Sequence, residues 1–89
     1  MPERVVTVVP EDGLHARPAS KFVEAASEFG AEIRVGHVDG DLVNAASMLA
    51  VTGLGVATGE DVRLTAEGED DEAALDELER ILTTPEDEL

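Results

Sequence analysis

Cysteine, tryptophan and tyrosine are absent from this 89-residue chain, and phenylalanine occurs only twice. Without cysteine there is no disulfide, no thiolate metal site and no cysteine nucleophile, so redox logic leaves the compartment open. With aromatics at 2% the core has to be assembled from Val, Leu, Ile, Ala, Met and the two phenylalanines, which leaves little depth for a ligand pocket. Cations are scarce as well: five arginines and one lysine stand against 21 Asp and Glu, for a net charge of −15. Such a surface repels a phosphate backbone, which excludes nucleic acid as a partner. No apolar run approaches the ~18 residues of a membrane span, and the opening MPERVV lacks the charged-then-apolar layout of a signal peptide. The expectation is a single cytoplasmic domain over residues 1–89 with no membrane insertion. Abundant carboxylates with lysine nearly absent suit concentrated salt, where self-repulsion is screened within ~3 Å at 1 M, and point to a halophilic source.

Regular periodicities run through most of the chain, which argues for a folded acidic domain over disorder. Arg4 to Val9 is rich in β-branched residues and is closed by a turn at Pro10 to Gly13, the pattern of a strand. Ala19, Phe22, Val23, Ala26 and Phe29 recur at three- and four-residue steps, predicting an amphipathic helix from Ala16 that ends at Gly30. Ala31 to Val38 alternates as a strand, and Asp39-Gly40 turns it into a short strand at Asp41 to Val43. Ala45 to Val51 reads as a short helix with Asn44 as its cap, broken by Gly53 and Gly55. Asp61 to Glu67 alternates as a strand with one buried face. Asp70 or Asp71 then opens a helix whose stripe is Ala74, Leu75, Leu78, Ile81 and Leu82, and residues 83–89 form a frayed acidic tail. The order βαββαβα predicts an α+β open-faced sandwich, a four-stranded antiparallel sheet with three helices on one face.

The stretch GLHARPA, Gly13 to Ala19, spends one of two histidines and one of six cations at the junction of the first strand and the first helix. There the backbone N–H groups of Ala16 and Arg17 have no carbonyl partner inside the helix. Pro18 fits the first turn, where its missing N–H is no loss and its fixed φ is already helical. The helix dipole adds about half a positive charge, and Arg17 adds a whole one with bidentate geometry for oxygen. That field disfavours a proton on His15 and keeps a ring nitrogen available as a nucleophile near neutral pH. A phosphoryl group taken up there would be held by the Ala16 and Arg17 N–H groups and the Arg17 guanidinium, with imidazole as leaving group for onward transfer. Gly13 lets the turn tighten and Leu14 anchors it in the core. On the residues alone a second reading stands beside this one, in which His15 merely caps the helix and Arg17 merely solvates it.

GLHARPA, followed by a helix and then by NAASMLAVTGLGV at Asn44 to Val56, resembles the HPr family, the histidine-containing phosphocarriers of the phosphoenolpyruvate-dependent sugar phosphotransferase system. The resemblance covers nearly the whole chain, and the family fold agrees with the order read above. It implies that His15 receives phosphate on Nδ1 from phospho-enzyme I and passes it to enzyme IIA domains, with Arg17 beside the phosphate. It makes Gly13, Leu14, Pro18 and Ala19 framing positions that shape the loop. It makes the protein a carrier without independent turnover, needing no cofactor and no metal. Ser47 matches the serine that a dedicated kinase phosphorylates in some bacterial relatives; its plainer reading is a helix-start serine.

Glu24, Ser27 and Ala50 stand where better-known members carry lysines that meet acidic partners. Docking must therefore differ, and an apolar patch of Met48, Leu49 and Val51 beside His15 is the expected substitute, unless those residues are ordinary core. Gly53 to Gly59 lacks the glycine spacing of a dinucleotide loop and the lysine of a P-loop, so it reads as a turn. His15 and His37 have no metal-ligand spacing between them. Two alternatives remain: a regulatory HPr-like protein, or a carrier to another acceptor such as a dihydroxyacetone kinase subunit.

Overall fold

The alternation of Asp61–Glu67 decides how the sheet is built. The computed structural model, which describes residues 2–89, places this segment as strand β4, between β1 (Glu3–Thr7) and β2 (Glu32–His37), with β3 (Val43–Asn44) beyond β2. All pairings are antiparallel. Val6 lies opposite Val62, Val35 opposite Leu64 and Ile33 opposite Ala66, so one face of the sheet is continuously apolar and buried. On the other face Glu3, Thr7, Glu32 and Glu67 are exposed, while Arg63 is half-buried and Thr65 buried. Three helices cover the apolar face: α1 (Ala16–Ser27), α2 (Met48–Gly53) and α3 (Asp71–Leu82). The expected βαββαβα open-faced sandwich is the fold observed.

Phe22 is fully buried and Phe29 packs partly buried against the core, so both aromatics are used as the composition requires. Burying a side chain of this class contributes ~1.5–3 kcal/mol. Two polar devices fix α3 in place. The Asp70 carboxylate accepts the Gly30 and Ala31 N–H groups, each at 2.8 Å, and ties the α1–β2 connection to the start of α3. Arg4, on the edge strand, pairs with Glu72, Asp76 and Glu79 along one side of α3.

Several boundaries differ from expectation for local reasons. The helix expected from Ala45 with an Asn44 cap instead starts at Met48. Asn44 closes a turn first, its Oδ1 accepting the Ala46 N–H at 2.9 Å and its carbonyl the Ser47 N–H at 3.1 Å. Ser47 then becomes the cap, its Oγ accepting the Ala50 N–H at 3.2 Å. The expected strand at Asp41 to Val43 is correspondingly shifted to Val43–Asn44. Helix α1 ends at Ser27, short of Gly30, because the Glu28 N–H turns back to the Ala25 carbonyl in a tighter closing bond of 3.1 Å. Residues 83–89, expected as a frayed tail, are laid against the body: Glu86–Glu88 form a 3₁₀ turn and Leu89 packs partly buried on the core.

Candidate functional site

Between β1 and α1 the chain is held from above by the loop that follows α2. The Gly13 N–H closes a turn onto the Pro10 carbonyl at 2.9 Å, and the Leu14 N–H donates to the Val56 carbonyl at 3.0 Å. Gly13 has φ +67, and a Cβ there would stand 2.4 Å from the Val56 carbonyl oxygen. Both the dihedral and the space demand glycine. Leu14 is fully buried and anchors the loop in the core. His15 follows half-buried, with extended backbone at φ −136 and ψ 168.

Ala16 is the one non-glycine residue with positive φ among the described residues, at φ 51. A residue held there costs ~1–3 kcal/mol, so strain is stored at the junction itself. The first full helical bond runs from the Ala19 N–H to the His15 carbonyl at 3.3 Å. The Ala16 and Arg17 N–H groups thus precede the helical ladder, and neither donates to another protein acceptor among the described residues. Pro18 is buried in the first turn, where no acidic residue neutralises the positive end of the helix. Two free N–H groups and the exposed Arg17 therefore lie within two residues of the imidazole, an arrangement able to hold an anion on the ring.

The tail adds contacts that sequence reasoning missed. Arg17 Nη2 donates to the Leu89 carbonyl oxygen at 3.2 Å, and the Asp12 N–H donates to Glu86 Oε1 at 2.9 Å. The Asp12 carboxyl, hydrogen-bonded to Glu86, raises the Glu86 pKa above its ordinary value, with the Asp12 N–H bond opposing that shift. The one available signal was Leu89 itself, an apolar residue ending an acidic run.

Helix α2 packs beside α1, which brings the second group of candidates near the loop. Met48 is 40% exposed and Leu49 84%. Val51 is fully buried and leaves the expected patch. Residues two apart on a helix point ~200° from each other, so Leu49 outward puts Val51 inward. Glu24 and Ser27 are exposed on α1. His37 is the last residue of β2, opposite Val62, with Nε2 2.7 Å from the Leu54 carbonyl oxygen. Two surface concavities, of ~320 and ~360 Å³, lie between α1 and α3 and on the open sheet face, and His15 lines neither. Among the described residues no group of three or more His, Cys, Asp or Glu is placed to hold a metal ion, and no helix is long and apolar enough to cross a membrane.

Comparison with known proteins bears on the family and the fold. Residues 2–84 match the family model described as the PTS HPr component phosphorylation site. The chain is 72% identical over 85 residues to the phosphocarrier protein HPr of Haloferax volcanii, covering 94% of this chain and 96% of that one. This relative is in keeping with the halophilic source inferred from charge. The chain is also 48% identical over 89 residues to the phosphocarrier protein HPr of Streptomyces coelicolor, covering 100% of this chain and 96% of the relative. Among solved structures, HPr from Thermoanaerobacter tengcongensis superimposes with a TM-score of 0.87 at 41% identity, over 92% of this chain and 91% of that one. HPr from Bacillus anthracis gives 0.87 at 38% identity, over 91% and 95%. The chain belongs to the HPr family, the phosphocarriers of the phosphotransferase system.

Proposed function

We propose that His15 accepts a phosphoryl group from phospho-enzyme I and passes it to enzyme IIA domains of a sugar phosphotransferase system, in the cytoplasm. The observation that carries this reading is the junction at Leu14 to Pro18: a half-buried histidine within two residues of two unpaired amides and an exposed guanidinium, at the positive end of a helix. A ring-nitrogen lone pair forms the new N–P bond as the bond between phosphorus and the donor breaks and the donor keeps that pair. The proton leaving the other ring nitrogen balances the donor through solvent. Amides and guanidinium fixed before the reaction stabilise the charge on the transferring oxygens. Imidazole leaves readily, so the same site discharges to an acceptor. Identity of 48% over 68 residues, 74% of this chain and 17% of the relative, to a multiphosphoryl transfer protein of Vibrio cholerae supports a place in such a relay. The test is incubation with phosphoenolpyruvate and cognate enzyme I. One acid-labile phosphoryl group is expected, lost in His15→Ala. No uptake by the parent, or equal labelling of His15→Ala, sinks the carrier reading.

Docking falls, in this reading, to the apolar surface of Met48 and Leu49 rather than to a basic rim. Apolar contact survives concentrated salt, whereas long-range attraction is screened. Enzyme I affinity is expected to change little across a salt series; a steep fall with added salt overturns the assignment. Ser47, capping α2 next to this patch, would on phosphorylation place close to two negative charges against it and weaken docking.

A further inference from the structure

The six cations of the chain are not equivalent. Arg4 is met by Glu72, Asp76 and Glu79, Arg34 by Glu32, Arg63 by Glu3 and Arg80 by Glu77. Arg17 and Lys21 alone have no Asp or Glu side chain at ion-pair distance among the described residues. They stand four residues apart on α1, one above the other on one face. Helical side chains lean toward the N-terminus, so the Lys21 Cβ is directed back toward the turn that carries Arg17. Six residues correspond to ~9 Å of helical rise, much of which a flexible four-carbon stem spans. Lys21 also lines the groove between α1 and α3, where Glu24, Glu28, Glu77 and Glu88 face it; Leu89, whose backbone oxygen accepts from Arg17, lines the same groove.

A phosphoryl group brings roughly −1.5 to −2 more charge to a chain already at −15, next to Glu11 and Asp12 in the loop and Glu86 laid against it. We propose that Lys21 is the second cation of the phosphoryl seat: Arg17 bonds the phosphoryl oxygens, and Lys21 offsets their charge from one turn below. This rests on the carrier reading but is tested apart from it, by phosphorylating histidine chemically with phosphoramidate and following the ³¹P signal that His15→Ala lacks. A nearby cation favours the dianion, so Lys21→Gln is expected to raise the phosphoryl pKa by ~0.4 pH unit at low ionic strength. Lys21→Arg restores the parent titration, and 1 M KCl removes most of the difference. Arg80→Gln, a cation lining the same groove but paired with Glu77, leaves the titration where it was. An unchanged titration in Lys21→Gln, or an equal shift in Arg80→Gln, overturns the proposal. Failure of enzyme I to label the parent counts against the carrier reading alone.

Discussion

The sheet and the Pro10 to Ala19 loop lie side by side and are built on opposite plans. In the sheet, antiparallel ladders repeat one small solution: an apolar residue inward, a polar one outward, with pairs such as Val6 and Val62 each adding a little. In the loop, single residues have no substitute. Gly13 fits where a Cβ would strike a carbonyl, Leu14 is fully buried and anchors the loop, and Ala16 is held at positive φ. The difference teaches that stability in this domain is spread over many interchangeable contacts, whereas the candidate chemistry depends on a strained junction that the rest of the fold must hold in place.

That contrast can be broken most sharply at Gly13. Gly13→Ala forces an L-residue into the left-handed region and against the Val56 carbonyl, an expected loss of ~3 kcal/mol in urea denaturation, together with loss of phosphoryl uptake. A variant within 1 kcal/mol of the parent would show the loop to be slack. Asp70→Ala strips two charge-assisted bonds from the opposite end of the molecule. A loss of ~2 kcal/mol is expected, with uptake by the folded fraction unchanged; impaired uptake at full folding would erase the distinction between the two regions. Arg4→Ala leaves three α3 carboxylates facing one another. Thermal unfolding should register ~1 kcal/mol at low salt and less at 1 M, and a salt-independent effect would point to lost packing instead.

The smallest effect is expected where the tail meets the loop. The Glu86 pKa is raised by the Asp12 carboxyl, so the contact is fully present below the ordinary value near 4.5 and weakens as pH rises through the raised one. The Asp12 amide resonance should follow that titration, and Glu86→Gln should flatten it. A resonance that moves identically in both proteins would remove Glu86 from the contact.

The two regions also differed in how much of them could be read beforehand. Strict alternation at Asp61 to Glu67 and the apolar stripe of α3 name elements whose partners scarcely matter, and both appear where expected. The start of α2 did not, because Asn44 and Ser47 are both competent caps and only the turn between them decides which is used. Gly13, Leu14 and Pro18 announced a tight, anchored helix start, but the positive φ of Ala16 left no trace in the residue type. The contacts of Arg17 with Leu89 and of Asp12 with Glu86 join positions more than 70 apart, and no local pattern encodes them. The outward turn of Leu49 with Val51 inward depends on the helix phase, which a six-residue segment is too short to display.

Arg4 has a consequence for how an acidic shell is acquired. One residue on an edge strand gathers three carboxylates of a neighbouring helix and acts as a counter-ion carried by the chain itself. Helix α3 can therefore gain negative residues on that side without loosening from the sheet. Adaptation to a saline interior can proceed by re-dressing one layer and placing its neutralising partner in another, while the junction at His15 keeps its own scarce cations for a different anion.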